Sequence, residues 1–301
     1  MPADFLSIND LTSAEILTLL DWADAYRERR DEGKPLAGQS VAMLFEKPSL
    51  RTKLSFDIGI HELGGHPVYM AADEIGLDVR EPVEDMASVV ERWVAVIVAR
   101  VNKHGALERM AARASIPVIN ALSDVEHPCQ AIADIQTIRG KLGHLDGVKT
   151  AFIGDANNTA LSLAFATTAT GGQFAIAAPP AYGFNDAAIV AIARRGALPM
   201  ITHDPRKAVA NADVVYTDVW TSMGQEAETV ARLKAFEGFQ VNDDLLRHAK
   251  PNALVMHDMP VHYGEEMPPG MLDHPQSVAF DQAENRLHAQ KAVLRLLTVG
   301  E

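Results

Sequence analysis

One cysteine, Cys129, is all the sequence holds. That excludes an intrachain disulfide framework and any multi-cysteine metal site, and it fits a reducing compartment. Long apolar runs are missing too: none approaches the ~20 residues needed to span a bilayer. The opening Met1-Pro2-Ala3-Asp4-Phe5 lacks the basic and apolar regions of a signal peptide. The expectation is a cytoplasmic protein without a membrane partner. Positive charge is also scarce, with 27 Lys and Arg against 40 Asp and Glu and a net charge of -13. Scattered basic residues in an acidic chain exclude a general nucleic-acid surface. An anionic ligand would need a local basic pocket, which directs attention to arginines inside motifs.

What is present is enough apolar sequence for a sizeable core: 301 residues, 48% hydrophobic, most simply divided into two domains. Thr12 and Ser13 can cap a helix carrying Ile16, Leu17, Leu19, Leu20, Trp22 and Ala23 at amphipathic spacing. Short apolar runs then alternate with helical patterns: Val41-Ala42-Met43-Leu44-Phe45, Val68-Tyr69-Met70, 94–99 and 118–122. The alternation restarts at Thr150-Ala151-Phe152-Ile153 and continues through Phe174-Ala175-Ile176-Ala177, Met200-Ile201, Val214-Val215-Tyr216 and Ala253-Leu254-Val255-Met256. This pattern predicts an α/β protein of two domains, each a mostly parallel sheet flanked by helices. A helical stretch at 127–142 bridges the two series, so the expected domains are 1–140 and 141–301. The last helix, at 282–297, is followed by no strand and is expected to pack back on the first domain. The tryptophans are read as core.

Two stretches carry chemistry. At Phe45-Glu46-Lys47-Pro48-Ser49-Leu50-Arg51-Thr52-Lys53 a strand ends and a helix starts near Ser49. A helix start offers free N–H groups and the positive end of a dipole, to which Ser49, Arg51 and Thr52 add hydroxyl and guanidinium donors. That describes a phosphate cradle; equally, Ser49 can be a helix cap and Arg51 a surface charge. At Glu126-His127-Pro128-Cys129-Gln130 an imidazole and an amide lie three residues apart at another helix start, with Pro128 suited to the first turn. Arg100 follows an apolar run, at the C-terminal end of a strand, where open α/β sheets place ligands.

In combination these pieces resemble the aspartate/ornithine carbamoyltransferase family over nearly the whole chain. Its Ser-x-Arg-Thr signature stands as Ser49-Leu50-Arg51-Thr52 and its His-Pro-x-Gln signature as His127-Pro128-Cys129-Gln130. The ornithine branch is suggested by Asp218-Val219-Trp220-Thr221-Ser222-Met223-Gly224, by Gly154-Asp155-Ala156-Asn157-Asn158 and by Glu284-Asn285-Arg286. The resemblance implies carbamoyl transfer from carbamoyl phosphate to the side-chain amine of L-ornithine, giving citrulline and phosphate in arginine metabolism. The first domain would bind carbamoyl phosphate and the second the amino acid, across a cleft that closes. Ser49, Leu50, Arg51 and Thr52 would hold the phosphate, Arg100, His127 and Thr52 would polarise the carbamoyl oxygen, and Gln130 would fix the carbamoyl amide. Arg286 would complete that pocket. Asn158, Asp218, Ser222 and Met223 would take the acceptor's α-amino and carboxylate groups, with Asp258 and Met259 beside the reacting amine. Family members are commonly trimers, so a homotrimer or a multiple of it is expected. The chemistry needs neither a metal nor an organic cofactor.

The sequence departs from the family's pattern at three places. Where the ornithine branch reads His-Cys-Leu-Pro, this chain has His257-Asp258-Met259-Pro260. Asp258 would set a second carboxylate near Asp218, where two acids favour a shared proton or a bound cation. Asp258 could act as a base, and equally could hold the acceptor as an unreactive ammonium. Lys53 replaces a frequent Arg, and Glu74 a Gln in a loop that reaches a neighbouring subunit, where it would need to pair with Lys53 or Arg80. These departures leave open a different amine acceptor, such as a diamine or a modified ornithine, and a non-catalytic metabolite-binding paralogue. A nucleotide-dependent oxidoreductase is disfavoured, because Gly154-Asp155-Ala156-Asn157-Asn158-Thr159 lacks both later glycines of a dinucleotide fingerprint. His61, His66, His203 and His262 have no ligand-like grouping, and His257 with His262 has no suitable third partner in sequence, so no metal is expected.

Overall fold

The computed structural model describes residues 3–30, 33–222 and 224–299. The chain divides into two compact units, Met1–Gln136 with Glu284–Glu301, and Thr137–Ala283.

In the first unit, β1 (Ser40–Phe45), β2 (His66–Met70), β3 (Val96–Arg100) and β4 (Val118–Leu122) form a parallel sheet in the order β2-β1-β3-β4. Around them run α1 (Ser13–Arg27), α2 (Leu50–Glu62), α3 (Ala72–Ile75), α4 (Val83–Val90), α5 (His104–Arg113) and the start of α6 (Pro128–Leu142). Thr12 caps α1 in a reciprocal box with Glu15. Every residue of β3, and all of β1 beyond Ser40, is buried, as expected of parallel strands covered on both faces. Ala42, Leu44, Ile97 and Ala99 pack there with Val83, Leu107 and Met110. The strand expected at 94–99 begins at Val96, because Val94 still donates to Val90 in the turn that ends α4, and it runs on through Arg100.

In the second unit, β5 (Lys149–Ile153), β6 (Gln173–Ala177), β7 (Met200–Thr202), β8 (Val214–Thr217) and β9 (Leu254–His257) form another parallel sheet, ordered β7-β6-β5-β8-β9. Its helices are α7 (Asn158–Ala169), α8 (Asp186–Ala193), α9 (Pro205–Val209), α10 (Thr229–Ala235) and α11 (Asp243–Leu246). The final helix, α12 (Ala279–Val299), starts here, but its residues from Glu284 onward belong to the first unit, as anticipated for the last helix.

The tryptophans do not all join the core. Trp220 is buried and stacks on Phe236 with ring centroids 5.4 Å apart. Trp22 is half-buried under the Arg295 guanidinium, and Trp93 is 72% exposed in the turn after α4, beyond that helix's buried face.

Each sheet has one point where the winding reverses, between β1 and β3 in the first and between β5 and β8 in the second. Open α/β sheets bind ligands beyond the strand ends at such points. In the first sheet Phe45 pairs with Arg100 there. In the second, β5 leads into Gly154 and β8 into Asp218. Gly154 has φ +149, a conformation that side chains strain, while its N–H donates to Ala177.

Candidate active site

In the first unit Ser49 takes the cap position of α2, its hydroxyl accepting from the Thr52 N–H at 3.3 Å. The capping role weighed against a phosphate cradle is therefore real; Leu50 and Arg51 follow as the first helical residues, with N–H groups that have no acceptor within the helix. The Leu50 side chain is 72% exposed, so only its backbone can serve a ligand. Arg51 is half-buried and Thr52 fully buried.

Arg286, from α12, joins this helix start to the second motif. One guanidinium nitrogen donates to Gln130 Oε1 and the other to Thr52 Oγ1, both at 2.8 Å. Gln130 Nε2 in turn donates to Asp134 at 2.8 Å. Thr52, Gln130 and Arg286 are all buried, as are Arg100 and His127. Pro128 opens α6, as its position predicted, and His127 precedes it with its carbonyl accepting from Gln130 and Ala131. Burial, followed by the charges of Arg286 and Arg100, holds the His127 imidazole well below its ordinary titration range. His127 is therefore a neutral hydrogen-bonding group at neutral pH. Cys129, between these residues, is buried and its thiol is pushed up to about 12, chiefly by burial, which leaves it unreactive. The turn before His127 is tied down by Glu126, which accepts from the Ser7 hydroxyl and from the Ile8 N–H at 3.2 Å.

The second unit gathers acids. Asp218 accepts from Asn157 Nδ2 and from the Val219 N–H, each at 2.7 Å. Asp258 accepts from Thr159 Oγ1 at 3.3 Å. Ligand atoms of Asp218, His257 and Asp258 all lie within 4.8 Å of one another, so the neighbouring carboxylates foreseen from Asp258 are present. This overturns the expectation that His257 lacks suitable partners: Asp258 follows it directly, and Asp218 comes from just beyond the end of β8. A second group, His262 with Glu265 and Glu266, is likewise close in space, which corrects the expectation that His262 has no ligand-like grouping. Either group has the donor types of a metal site. Both His257 nitrogens are already engaged, however: Nδ1 accepts from the Met259 N–H at 2.8 Å, and Nε2 bonds Glu266 Oε1 at 3.0 Å.

Asn158 is the first residue of α7 and half-buried, behind the cap residue Asn157. Ser222 is half-buried, with its N–H on Gln225 Oε1 at 3.0 Å. Met223 lies outside the described residues. Met259 is half-buried with φ +58, a left-handed conformation costing a side-chain residue roughly 1 to 2 kcal/mol. Residues not singled out from sequence are Asn157, whose place before a helix signals a cap, and Thr159 and Glu266, for which sequence offers no signal. Within the chain Glu74 pairs with neither Lys53 nor Arg80. Glu74 instead accepts from the Ala71 N–H at 2.7 Å, and Lys53 Nζ lies 3.5 Å from the centre of the Tyr69 ring.

Family models match both units. Residues 3–140 match the aspartate/ornithine carbamoyltransferase carbamoyl-P binding domain, and residues 146–297 match the Asp/Orn binding domain of the same family. The chain belongs to the aspartate/ornithine carbamoyltransferase family. Among relatives in this family, an ornithine carbamoyltransferase of Acidothermus cellulolyticus is 49% identical over 298 residues, covering 97% of this chain and 96% of its own. An anabolic ornithine carbamoyltransferase of Pyrococcus furiosus is 47% identical over 304 residues, covering 99% and 96%. The solved ornithine carbamoyltransferase structure from Pyrococcus furiosus superposes with a TM-score of 0.94 at 46% identity, covering 99% of this chain and 97% of that one.

Proposed function

We propose that this chain transfers the carbamoyl group of carbamoyl phosphate to the side-chain amine of L-ornithine, releasing citrulline and phosphate. The observation that carries the reading is the buried Arg286 fork, which ties the helix start at Thr52 to Gln130 beside a neutral His127. Relatives named ornithine carbamoyltransferase, matched over nearly their full length, support the choice of acceptor.

In this reading the Leu50 and Arg51 amides, with Ser49 and the Arg51 guanidinium, take the phosphate. Thr52 accepts from Arg286, which leaves its hydroxyl proton to donate to the carbamoyl oxygen beside Arg100 and His127. Gln130, oriented by Arg286 and Asp134, keeps an oxygen lone pair for the carbamoyl N–H. The uncharged amine attacks the carbamoyl carbon, negative charge grows on its oxygen, and the carbon–oxygen bond to phosphate breaks as the carbonyl re-forms. Donors aimed at both oxygens stabilise this transition state more than the ground state. Freeing a lysine-like amine of its proton, with a pKa near ~10.4, costs roughly 4 to 5 kcal/mol at pH 7. Asp258 is placed in the role of base. Asn158, Asp218, Ser222, Met223 and Met259 bind the acceptor.

The domains for the two substrates are 1–140 and 141–301, the final helix returning to the first. Assembly as a homotrimer or a multiple of it is supported by Leu50, Leu54 and Ile58 on α2, which are 72%, 51% and 45% exposed. At four-residue spacing they form one apolar stripe suited to burial against a partner. In this reading the protein works in the cytoplasm, as its single cysteine suits. Among the described residues no helix is long and apolar enough to cross a membrane.

Asp258 beside Asp218 favours one second reading, an acceptor without a carboxylate, such as a diamine. Ureido-product formation with ornithine, putrescine, lysine, acetylornithine and aspartate offered separately tests both. Fast turnover of ornithine alone supports the first, and preference for another amine replaces it.

A further inference from the structure

Glu266 is fully buried nine residues beyond His257, and no step of the proposed reaction uses it. Two donors converge on its Oε1: His257 Nε2 at 3.0 Å and the His262 N–H at 2.7 Å. On the far side of the same imidazole, Nδ1 accepts from the Met259 N–H at 2.8 Å. A neutral imidazole carries one proton, so an acceptor at Nε2 and a donor at Nδ1 together specify the Nε2–H tautomer. The His257 backbone is fixed separately, its N–H donating to Gln282 Oε1 at 3.0 Å, and Gln282 Nε2 donates to the Tyr216 hydroxyl at 2.9 Å.

Asp258 lies inside the small ring closed by the Met259 N–H and the His257 imidazole. Met259 itself has φ +58. Asp258 Oδ1 is 3.6 Å from His257 Nδ1, the nitrogen that bears no proton in this tautomer. In the other tautomer Nδ1 would carry a proton. It would then release the Met259 amide and present a donor to Asp258, drawing the carboxylate away from the acceptor amine.

We propose that Glu266 is a positioning residue for Asp258. By accepting the Nε2 proton, it keeps His257 in the one tautomer that holds the Met259 amide and leaves the Asp258 carboxylate directed at the amine. The proposal rests on the carbamoyltransferase reading for the role of Asp258, but the tautomer itself can be measured without turnover. Because both donors meet on a single oxygen, a glutamine at this place can satisfy both with its carbonyl, whereas a methionine can satisfy neither.

The test is the ring-nitrogen spectrum of the full chain labelled with 15N-histidine, with the His257 signals assigned by their loss in His257→Asn, alongside steady-state kinetics. The wild type is expected to show His257 protonated at Nε2 and bare at Nδ1. Glu266→Gln should keep that pattern, with kcat within about threefold of wild type. Glu266→Met should mix or invert the tautomers and lower kcat for the amine about 10- to 100-fold, with KM for carbamoyl phosphate unchanged. A wild-type His257 protonated at Nδ1 overturns the proposal, even if Glu266→Met fails to fold. So does Glu266→Gln losing as much activity as Glu266→Met, or Glu266→Met keeping the wild-type tautomer. If no amine is carbamoylated by the wild type, the functional reading fails while the tautomer result still stands or falls by itself.

Discussion

Arg286 donates to Gln130 and to Thr52, partners 156 and 234 positions away in sequence, through the two arms of one guanidinium. The fork fixes the distance between a helix start suited to phosphate and an amide suited to a carbamoyl group. A point charge on a flexible stem cannot hold both. Replacing Arg286 by Lys should therefore lower kcat/KM for carbamoyl phosphate roughly 100-fold although the charge is kept. Steady-state kinetics with carbamoyl phosphate as the varied substrate provides the check. Near-normal activity in Arg286→Lys would show that charge alone suffices.

His127 has a folded-state pKa below its ordinary value of 6.5 because burial, Arg286 and Arg100 oppose its charge. Above pH 6.5 it is neutral whether the chain is folded or unfolded and adds no pH dependence. As pH falls below 6.5 the unfolded chain takes up the proton first, so stability drops by up to about 1.4 kcal/mol per pH unit from this one group. Denaturant midpoints for wild type and His127→Asn between pH 7.5 and 5 should diverge below 6.5, with the variant losing less. Parallel curves would contradict the assigned environment.

With its protonation held well below the ordinary imidazole range, His127 sets no acidic limb near neutral pH, which leaves a limb there to the acceptor side. If Asp258 is the base, kcat in Asp258→Cys should show an acidic limb moved from its wild-type position. An unmoved limb removes Asp258 from that role.

The apolar stripe on α2 makes a separate prediction. Leu54→Glu puts a charge at a half-exposed position without disturbing the buried face of the helix. Sedimentation should then find a smaller assembly than the wild type forms. An unchanged sedimentation coefficient would place the subunit interface elsewhere.

Much of this architecture is legible from local sequence, because buried parallel strands need apolar runs such as Val41-Ala42-Met43-Leu44-Phe45 whatever their neighbours. Helix starts at Ser49 and Pro128 are legible for the same reason, since cap chemistry is local. Arg286 is different: its spacing within α12 contains nothing about Thr52 or Gln130, and only the family resemblance pointed to it. His257 was misread in part because Asp218 reaches it only where β8 and β9 end side by side, although Asp258 is its neighbour in sequence. Trp93 was misread because apolar character predicts burial only on average, and this residue falls just beyond the buried turn of its helix.

The return of α12 to the first unit also bears on synthesis. A ribosome releases the whole sheet of the first unit, with Thr52 and Gln130 in place, before the second unit is made, and Arg286 follows only after that. At about 5 to 20 residues per second, the nascent chain must spend several seconds or more with the Thr52 hydroxyl and the Gln130 amide oxygen lacking their guanidinium. The carbamoyl-phosphate half would be among the first parts shaped and the last completed, so a stalled or prematurely terminated chain could not yield a first domain with an intact site.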